Sequence, residues 1–418
     1  MSKAYDATFD CIQCGYCLPS CPTYATFQKE THSPRGRIQL VKLVHEGRLT
    51  YENIRESMEL CLGCRACETA CPTGVQYGVI LTETIDALTT RRRAARTERV
   101  ARQMVFRKLL PSAHLGRVRP VMERAIAARL PERAHDFRLL DPLPDGAKAL
   151  ATVLPKPFDT LRARDVSRQD GRPAYRVAFF KGCVMDVLFH HVNERAVALL
   201  EAGGCDVVMT DEATCCGALQ RHAGDASEAK RLAKRNIAAF EALDVDFIVQ
   251  AIGGCGASLV EYDTLFEPGS AWHERAVRFT KRVRDVSEVV SLLSIEWTRP
   301  INRRVTYQPS CHLTNVQRVT REPRALIEQL PGVTFVPMDG ADHCCGSAGI
   351  YNVTQYDASM RILDDKMPNV LATSPDLVVT TNPGCHLQLA LGAKRTGASY
   401  DVVHLVELLA YAAGLTDD

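Results

Sequence analysis

From about residue 176 the chain alternates short apolar runs with longer stretches of helical periodicity. Arg176–Phe180, Cys205–Met209 and Asp246–Gln250 read as strands, with Asp186–Ala202 and Asp225–Leu243 as helices between them. Such alternation predicts a parallel sheet flanked by helices. The pattern then recurs. Val245-Asp246-Phe247-Ile248-Val249 leads into Gly254-Cys255, and Pro375-Asp376-Leu377-Val378-Val379 leads into Gly384-Cys385. Asp285–Leu293 and Asp401–Leu409 close the two halves with similar apolar sequences. Two α/β units of one design are therefore expected, over residues 171–300 and 301–418. Upstream, Val100, Met104, Val105 and Leu109 recur at helical spacing around Arg91–Lys108, which predicts a basic amphipathic helix. Prolines 142, 144, 155 and 157 predict an extended linker after it. The expected division is an N-terminal module (1–80), a helical basic connector and linker (81–170), and the two α/β units.

Charge narrows the function classes. The 51 Lys and Arg nearly balance the 49 Asp and Glu, which argues against a nucleic-acid binder. Met1–Asp10 is polar and lacks the apolar centre of a signal peptide. The best apolar run, Val402–Gly414, contains His404 and Glu407 and falls short of the ~20 residues that span a bilayer. A cytoplasmic, reducing setting is expected, so the 17 cysteines predict metal or redox chemistry rather than disulfides. The basic helix would either touch anionic lipid at the inner face of the membrane or an acidic partner, or pack against its own protein.

Eight cysteines form two runs, Cys11-x2-Cys14-x2-Cys17-x3-Cys21-Pro22 and Cys61-x2-Cys64-x2-Cys67-x3-Cys71-Pro72. This is the spacing of bacterial two-cluster ferredoxins, in which the fourth cysteine of each run ligates the other cluster. The expected sets are Cys11, Cys14, Cys17 and Cys71 for one 4Fe–4S cluster, and Cys61, Cys64, Cys67 and Cys21 for a second. Zinc sites use paired C-x2-C motifs and have no need of this rhythm twice. The prolines are expected to stop a short helix after each last ligand. Arg35 and Arg37 lie between the runs, either tuning the clusters or simply solvated.

The other cysteines follow the internal repeat. Cys183, Cys215-Cys216-Gly217 and Cys255 match Cys311, Cys344-Cys345-Gly346 and Cys385 at offsets of 128, 129 and 130 residues. Cys205 has no counterpart and reads as a small core residue. The matched cysteines fall beyond the carboxyl ends of strands, where such sheets place ligands. Several precede helices whose N-termini should favour thiolate. Four thiols per half suffice for a metal centre: an iron–sulfur cluster in one or both halves, structural zinc, or free thiols. His222, His312, His343 and His386 lie near these loops, either structural or in direct contact with a cluster or substrate. No phosphate-cradling glycine motif and no hydrolase nucleophile motif is present.

These residues carry a family resemblance. The halves resemble the cysteine-rich CCG domains of the heterodisulfide reductase family. Joined to a two-cluster ferredoxin module, they resemble the iron–sulfur subunits of glycolate oxidase and of anaerobic glycerol-3-phosphate dehydrogenase. Cys11–Leu40, Cys61–Gly74, His343–Gly349 and Asn382–Cys385 most resemble the glycolate oxidase subunit. The implied fold is α/β, with an α-rich ferredoxin module followed by duplicated CCG domains with parallel sheets. The implied cofactors are two 4Fe–4S clusters and one or two further iron–sulfur clusters in the CCG domains. The implied partners are FAD-containing 2-hydroxy-acid dehydrogenase subunits, which carry the substrate chemistry, and a quinone or other acceptor. One departure counts against the rival reading of a thiol–disulfide reductase. The heterodisulfide reductase family ends each domain in C-x-x-C, but Ile252 and Asn382 occupy its first position here.

Overall fold

The computed structural model describes residues 2–91, 103–109, 111, 120–122, 124–126, 128–155, 173–213 and 215–416. Its C-terminal part holds two four-stranded parallel sheets. Strands β1 (Arg176–Phe179), β2 (Asp206–Met209), β3 (Phe247–Gln250) and β4 (Val283–Asp285) run in the order β2-β1-β3-β4. Strands β5 (Arg303–Gln308), β6 (Val333–Phe335), β7 (Leu377–Thr380) and β8 (Asp401–His404) repeat that order as β6-β5-β7-β8. Within each sheet the apolar strands pair in register, Val177 beside Val207 and Phe247, and Val305 beside Phe335 and Leu377.

The two halves share one apolar core. Phe179 and Val249 of the first sheet, Val305 and Val379 of the second, and Leu199, Leu405 and Leu408 on intervening helices belong to a single buried cluster. Cys205 lies in this core, as its sequence suggested, and burial pushes its thiol up to about 11. Helices His190–Ala202 and Leu405–Ala412 meet across the pseudo-symmetric boundary. There Glu407 is buried 3.1 Å from His191 and 3.7 Å from Arg195.

The N-terminal module is helical. Helix Pro34–His45 starts on Ser33, whose hydroxyl accepts from the Gly36 N–H, and helix Tyr51–Glu59 starts on a Thr50–Asn53 capping box. Together with helix Tyr77–Arg91 they bury Ile38, Val41, Ile54, Met58, Ile80 and Leu88. The division expected after residue 80 falls inside this last helix.

Several local expectations change. Pro22 opens helix Pro22–Phe27 at its first turn, with Cys21 as N-cap, because proline's missing N–H costs nothing there. Only Pro72 follows a short helix, Ala66–Thr69. The run Asp186–Ala202 splits into Cys183–Leu188 and His190–Ala202 around fully buried Phe189. Between Pro144 and Pro155 the linker is not wholly extended. Asp145–Ala151 is helical because Ala149, Leu150 and Val153 pack against the α/β cores. Of the basic stretch Arg91–Lys108, residues 92–102 lie outside the described residues. Its end does pack on its own protein, with Arg107 clasping Asp225 at 2.7 and 2.8 Å. Among the described residues no helix is long and apolar enough to cross a membrane.

Candidate iron–sulfur centres

The eight N-terminal cysteines surround two hollows. Cys11, Cys14, Cys17 and Cys71 line one of about 400 Å³, counting space open to solvent, with Arg35 on its wall. Cys21, Cys61, Cys64 and Cys67 line a second of about 310 Å³ on the same measure, and Cys67 borders both. The fourth cysteine of each run thus crosses to the other run's hollow. Among the described residues no three His, Cys, Asp or Glu side chains close on one point as the ligands of a single ion do. The thiols stand around open volumes instead, which suits a multi-atom cluster.

The surroundings fit such a cluster. The Gly63 N–H and the Tyr77 hydroxyl point at Cys61 Sγ at 3.5 and 3.4 Å, and the Val75 N–H points at Cys71 Sγ at 3.4 Å. Burial pushes the Cys71 thiol up, but hydrogen bonds from Thr73, Val75 and Gly74 outweigh it and hold the group below its ordinary value. Arg37 is not solvated. It is buried on the wall of the second hollow, donating to the Ser57 carbonyl at 2.6 Å and Thr23 Oγ1 at 3.0 Å. Burial disfavours its charge, yet Cys61, Tyr77 and Cys21 hold it protonated. Cys14 and Ile12 are exposed at the outer hollow.

In the α/β halves each matched cysteine follows a strand's carboxyl end, and the sulfurs of each half converge. Cys216 and Cys255 Sγ are 3.1 Å apart, and Cys183 hydrogen-bonds Cys215. In the second half Cys344 bonds both Cys311 and Cys345, and Cys345 bonds Cys385. Gly217 (φ 81°) and Gly346 (φ 93°) take left-handed conformations just after each Cys-Cys pair. A Cβ on Gly346 would meet the Ser359 carbonyl at 2.7 Å.

The expectation that helix N-termini favour thiolate holds at Cys215, where a hydrogen bond from Cys183 and the Gly217 N–H keep the thiol below its ordinary value against burial, and fails at three other cysteines. The thiols of Cys183, Cys255 and Cys311 lie well above their ordinary values. Hydrogen bonds to Cys215, Cys216 and Cys344 raise them, and burial adds to it. Crowded, desolvated sulfurs hold their protons until a cation replaces them.

The second half abuts the ferredoxin module. Cys64 packs with Cys311, Cys344 and Leu62 in one cluster, and Asn315 donates to the Cys64 carbonyl at 3.0 Å. Lys366 was not anticipated. It is buried and donates to the Gly340 and Ala341 carbonyls at 2.6 and 3.2 Å. Burial lowers its ammonium to about 8 against the pull of Cys345, Asp342 and Cys344. The signal was a lysine on the buried stripe Ser359, Leu363, Lys366 and Val370; the matching place in the first half is Asn236.

Of the four histidines, His343 is exposed and His386 packs edge-on against Phe189. His222 and His312 meet edge-on at 5.7 Å between ring centroids, on the wall of a large cavity among the three modules.

Residues 7–75 match the 4Fe-4S dicluster domain family, and residues 177–260 and 305–390 each match the cysteine-rich domain family. A protein of Bacillus subtilis named probable glycolate oxidase iron-sulfur subunit is 44% identical over 97% of this chain and 94% of its own length. The glycolate oxidase iron-sulfur subunit of Escherichia coli is 29% identical over 96% of this chain and 93% of its length. Lactate utilization protein A of Geobacillus kaustophilus is 30% identical over 56% of this chain and 98% of its length. With its dicluster module, its two cysteine-rich domains and this near full-length similarity, the chain belongs to the glycolate oxidase iron–sulfur subunit family.

Proposed function

We propose that this protein takes electrons from FAD-containing subunits that oxidise glycolate, or a related 2-hydroxy acid such as lactate, and passes them to a quinone or another acceptor. The observation that carries the reading is the order of the thiol-lined sites. An outer hollow with exposed Cys14 adjoins a second one, lined by buried Cys21, through Cys67, and Cys64 of the latter packs against Cys311 and Cys344. We assign Cys11, Cys14, Cys17 and Cys71 to the outer 4Fe–4S cluster and Cys21, Cys61, Cys64 and Cys67 to the inner one. We further assign Cys183, Cys215, Cys216 and Cys255, and Cys311, Cys344, Cys345 and Cys385, to centres in the two α/β halves.

An iron–sulfur cluster supplies one-electron redox chemistry, with a potential set by charge, hydrogen bonds to sulfur and exposure. The chain's residues supply those settings. The Gly63 and Val75 N–H groups and the Tyr77 hydroxyl donate to sulfur, Arg37 and Lys366 place buried positive charge beside it, and Leu62 and Tyr351 exclude water between the inner hollow and the second half. Ile252 is sealed in apolar core and Asn382 is held by hydrogen bonds, which weighs against disulfide chemistry at those places.

The test is Cys14→Ser in the assembled complex. Glycolate-dependent reduction of the flavin should persist while electron delivery to the physiological acceptor stops. Unchanged delivery would show that the outer site is not on the route.

A further inference from the structure

The cavity among the three modules measures about 2160 Å³, counting space open to solvent. It touches Cys61 of the inner hollow and His312, the neighbour of Cys311. Most of its wall is apolar, including Leu81, Ile85, Phe106, Ile350 and Val353. The polar end is built from His222, His312 and an ion-pair network. Arg65 and Arg221 share Glu261 at 2.9 and 3.0 Å, and Arg65 also pairs with Glu68 at 2.6 Å.

His222 is exposed, and it lines the cavity, so the cavity takes surface that it shows. Neither of its ring nitrogens has a hydrogen-bond partner among the described residues. Burial, with His312 and Arg221, holds it at about 3, so the imidazole stays neutral at physiological pH.

A ligand for this space must be largely apolar to match the walls, because burying unpaired polar groups is costly. It must accept hydrogen bonds from imidazole N–H groups. It should carry no net charge, since the arginines already have carboxylate partners; that disfavours a free hydroxy acid. Beside sites assigned to electron carriers, it should be reducible.

We propose that the cavity binds a quinone-class molecule, its ring carbonyls accepting from His222 and His312 and its apolar body lying along Leu81, Ile85, Phe106 and Val353. This inference rests on the electron-transfer reading above and deepens it by locating the acceptor. An apolar hollow with a few convergent polar groups is the usual form of such sites, and this one has room for a ring and part of a tail.

The test reads binding rather than turnover, on the full chain purified anaerobically with its iron. An azido-benzoquinone with a short alkyl chain, competed by decyl-benzoquinone, should photolabel peptides 218–223 or 348–355. Ile350→Trp puts an indole into the cavity next to Gly349, which lies against His222, and should remove most of the competable labelling. His222→Phe should weaken the competitor about tenfold, the worth of one hydrogen bond, and His222→Asn, which keeps a donor, should recover most of that loss. Iron content and visible spectrum matching the parent's certify each variant as folded. Labelling elsewhere in the parent, or labelling that survives both Ile350→Trp and His222→Phe, overturns the proposal. Specific cavity labelling supports it even if Cys14→Ser leaves electron delivery unchanged, an outcome that sinks the route alone. Normal electron delivery without cavity labelling sinks the cavity alone.

Discussion

The side-chain oxygen of Asn382 accepts a hydrogen bond from the Gly254 N–H, 3.0 Å away in the other α/β half. Its amide nitrogen stands 3.8 Å from Cys385 Sγ, so one side chain joins a cysteine loop of the second half to that of the first. Asn382→Ala should leave the Gly254 N–H unpaired and lower stability by about 1–3 kcal/mol. A urea midpoint equal to the parent's would show that this bond does not hold the halves together.

Arg37 places a buried cation beside Cys21 and Cys61. Removing it as Arg37→Gln favours the more oxidised, less negative form of whatever those thiols hold. The midpoint potential of the inner ferredoxin cluster should fall by roughly 60 mV, equivalent to ~1.4 kcal/mol for one electron. An EPR-monitored redox titration measures it, and a potential that stays put or rises would refute the charge effect.

The centre proposed for the second half is assigned to Cys344 among others, and Lys366 lies within electrostatic reach of it. Cys344→Ser should lower iron per chain while leaving the EPR signals of the ferredoxin clusters intact. Lys366→Met should weaken retention of the same iron under chelator challenge, because its ammonium offsets crowded sulfur charge. Iron content untouched by Cys344→Ser would argue against a centre in that half.

Acid should destabilise the interface between the halves. His404 is buried, and desolvation holds it at about 4, while its neighbour Glu407 is held at about 2 by His191 and His386 against its own burial. The unfolded chain protonates a histidine near 6.5, so stability contributed by neutral His404 is complete above that pH and declines as pH falls toward 4. Glu407 adds loss in the same direction as pH falls below its unfolded value near 4.5. The His404 share should be on the order of 2 kcal/mol between pH 7.5 and 5. His404→Asn, which keeps a cap acceptor for the Val406 N–H, should flatten the pH dependence of the urea midpoint. An equally steep dependence in the variant would place the proton uptake elsewhere.

The parallel sheets were legible because the central strands β1, β3, β5 and β7 are apolar runs buried on both faces, which leaves a local mark in sequence. The cysteine loops were legible too, since ligand spacing and the internal repeat are properties of the chain itself. Features made only by packing were not. Phe189 interrupts a helix because it fills the core, and Asp145–Ala151 coils because Ala149 and Val153 find an apolar surface to cover. Sulfur crowding around Cys183 and Cys255 reversed the sign expected from helix ends, and no spacing rule reports desolvation. The edge-on pair His222 and His312 comes from different halves and could not be paired by periodicity.

Arg65 grips Glu68 and Glu261, while Thr69, Asn315 and Arg318 knit the same stretch to the second half. The ferredoxin module is therefore bolted to both of its neighbours at once. A carrier fastened in this way is expected to pass electrons across fixed tunnelling gaps rather than by swinging between donor and acceptor, so the speed of passage should be indifferent to solvent viscosity.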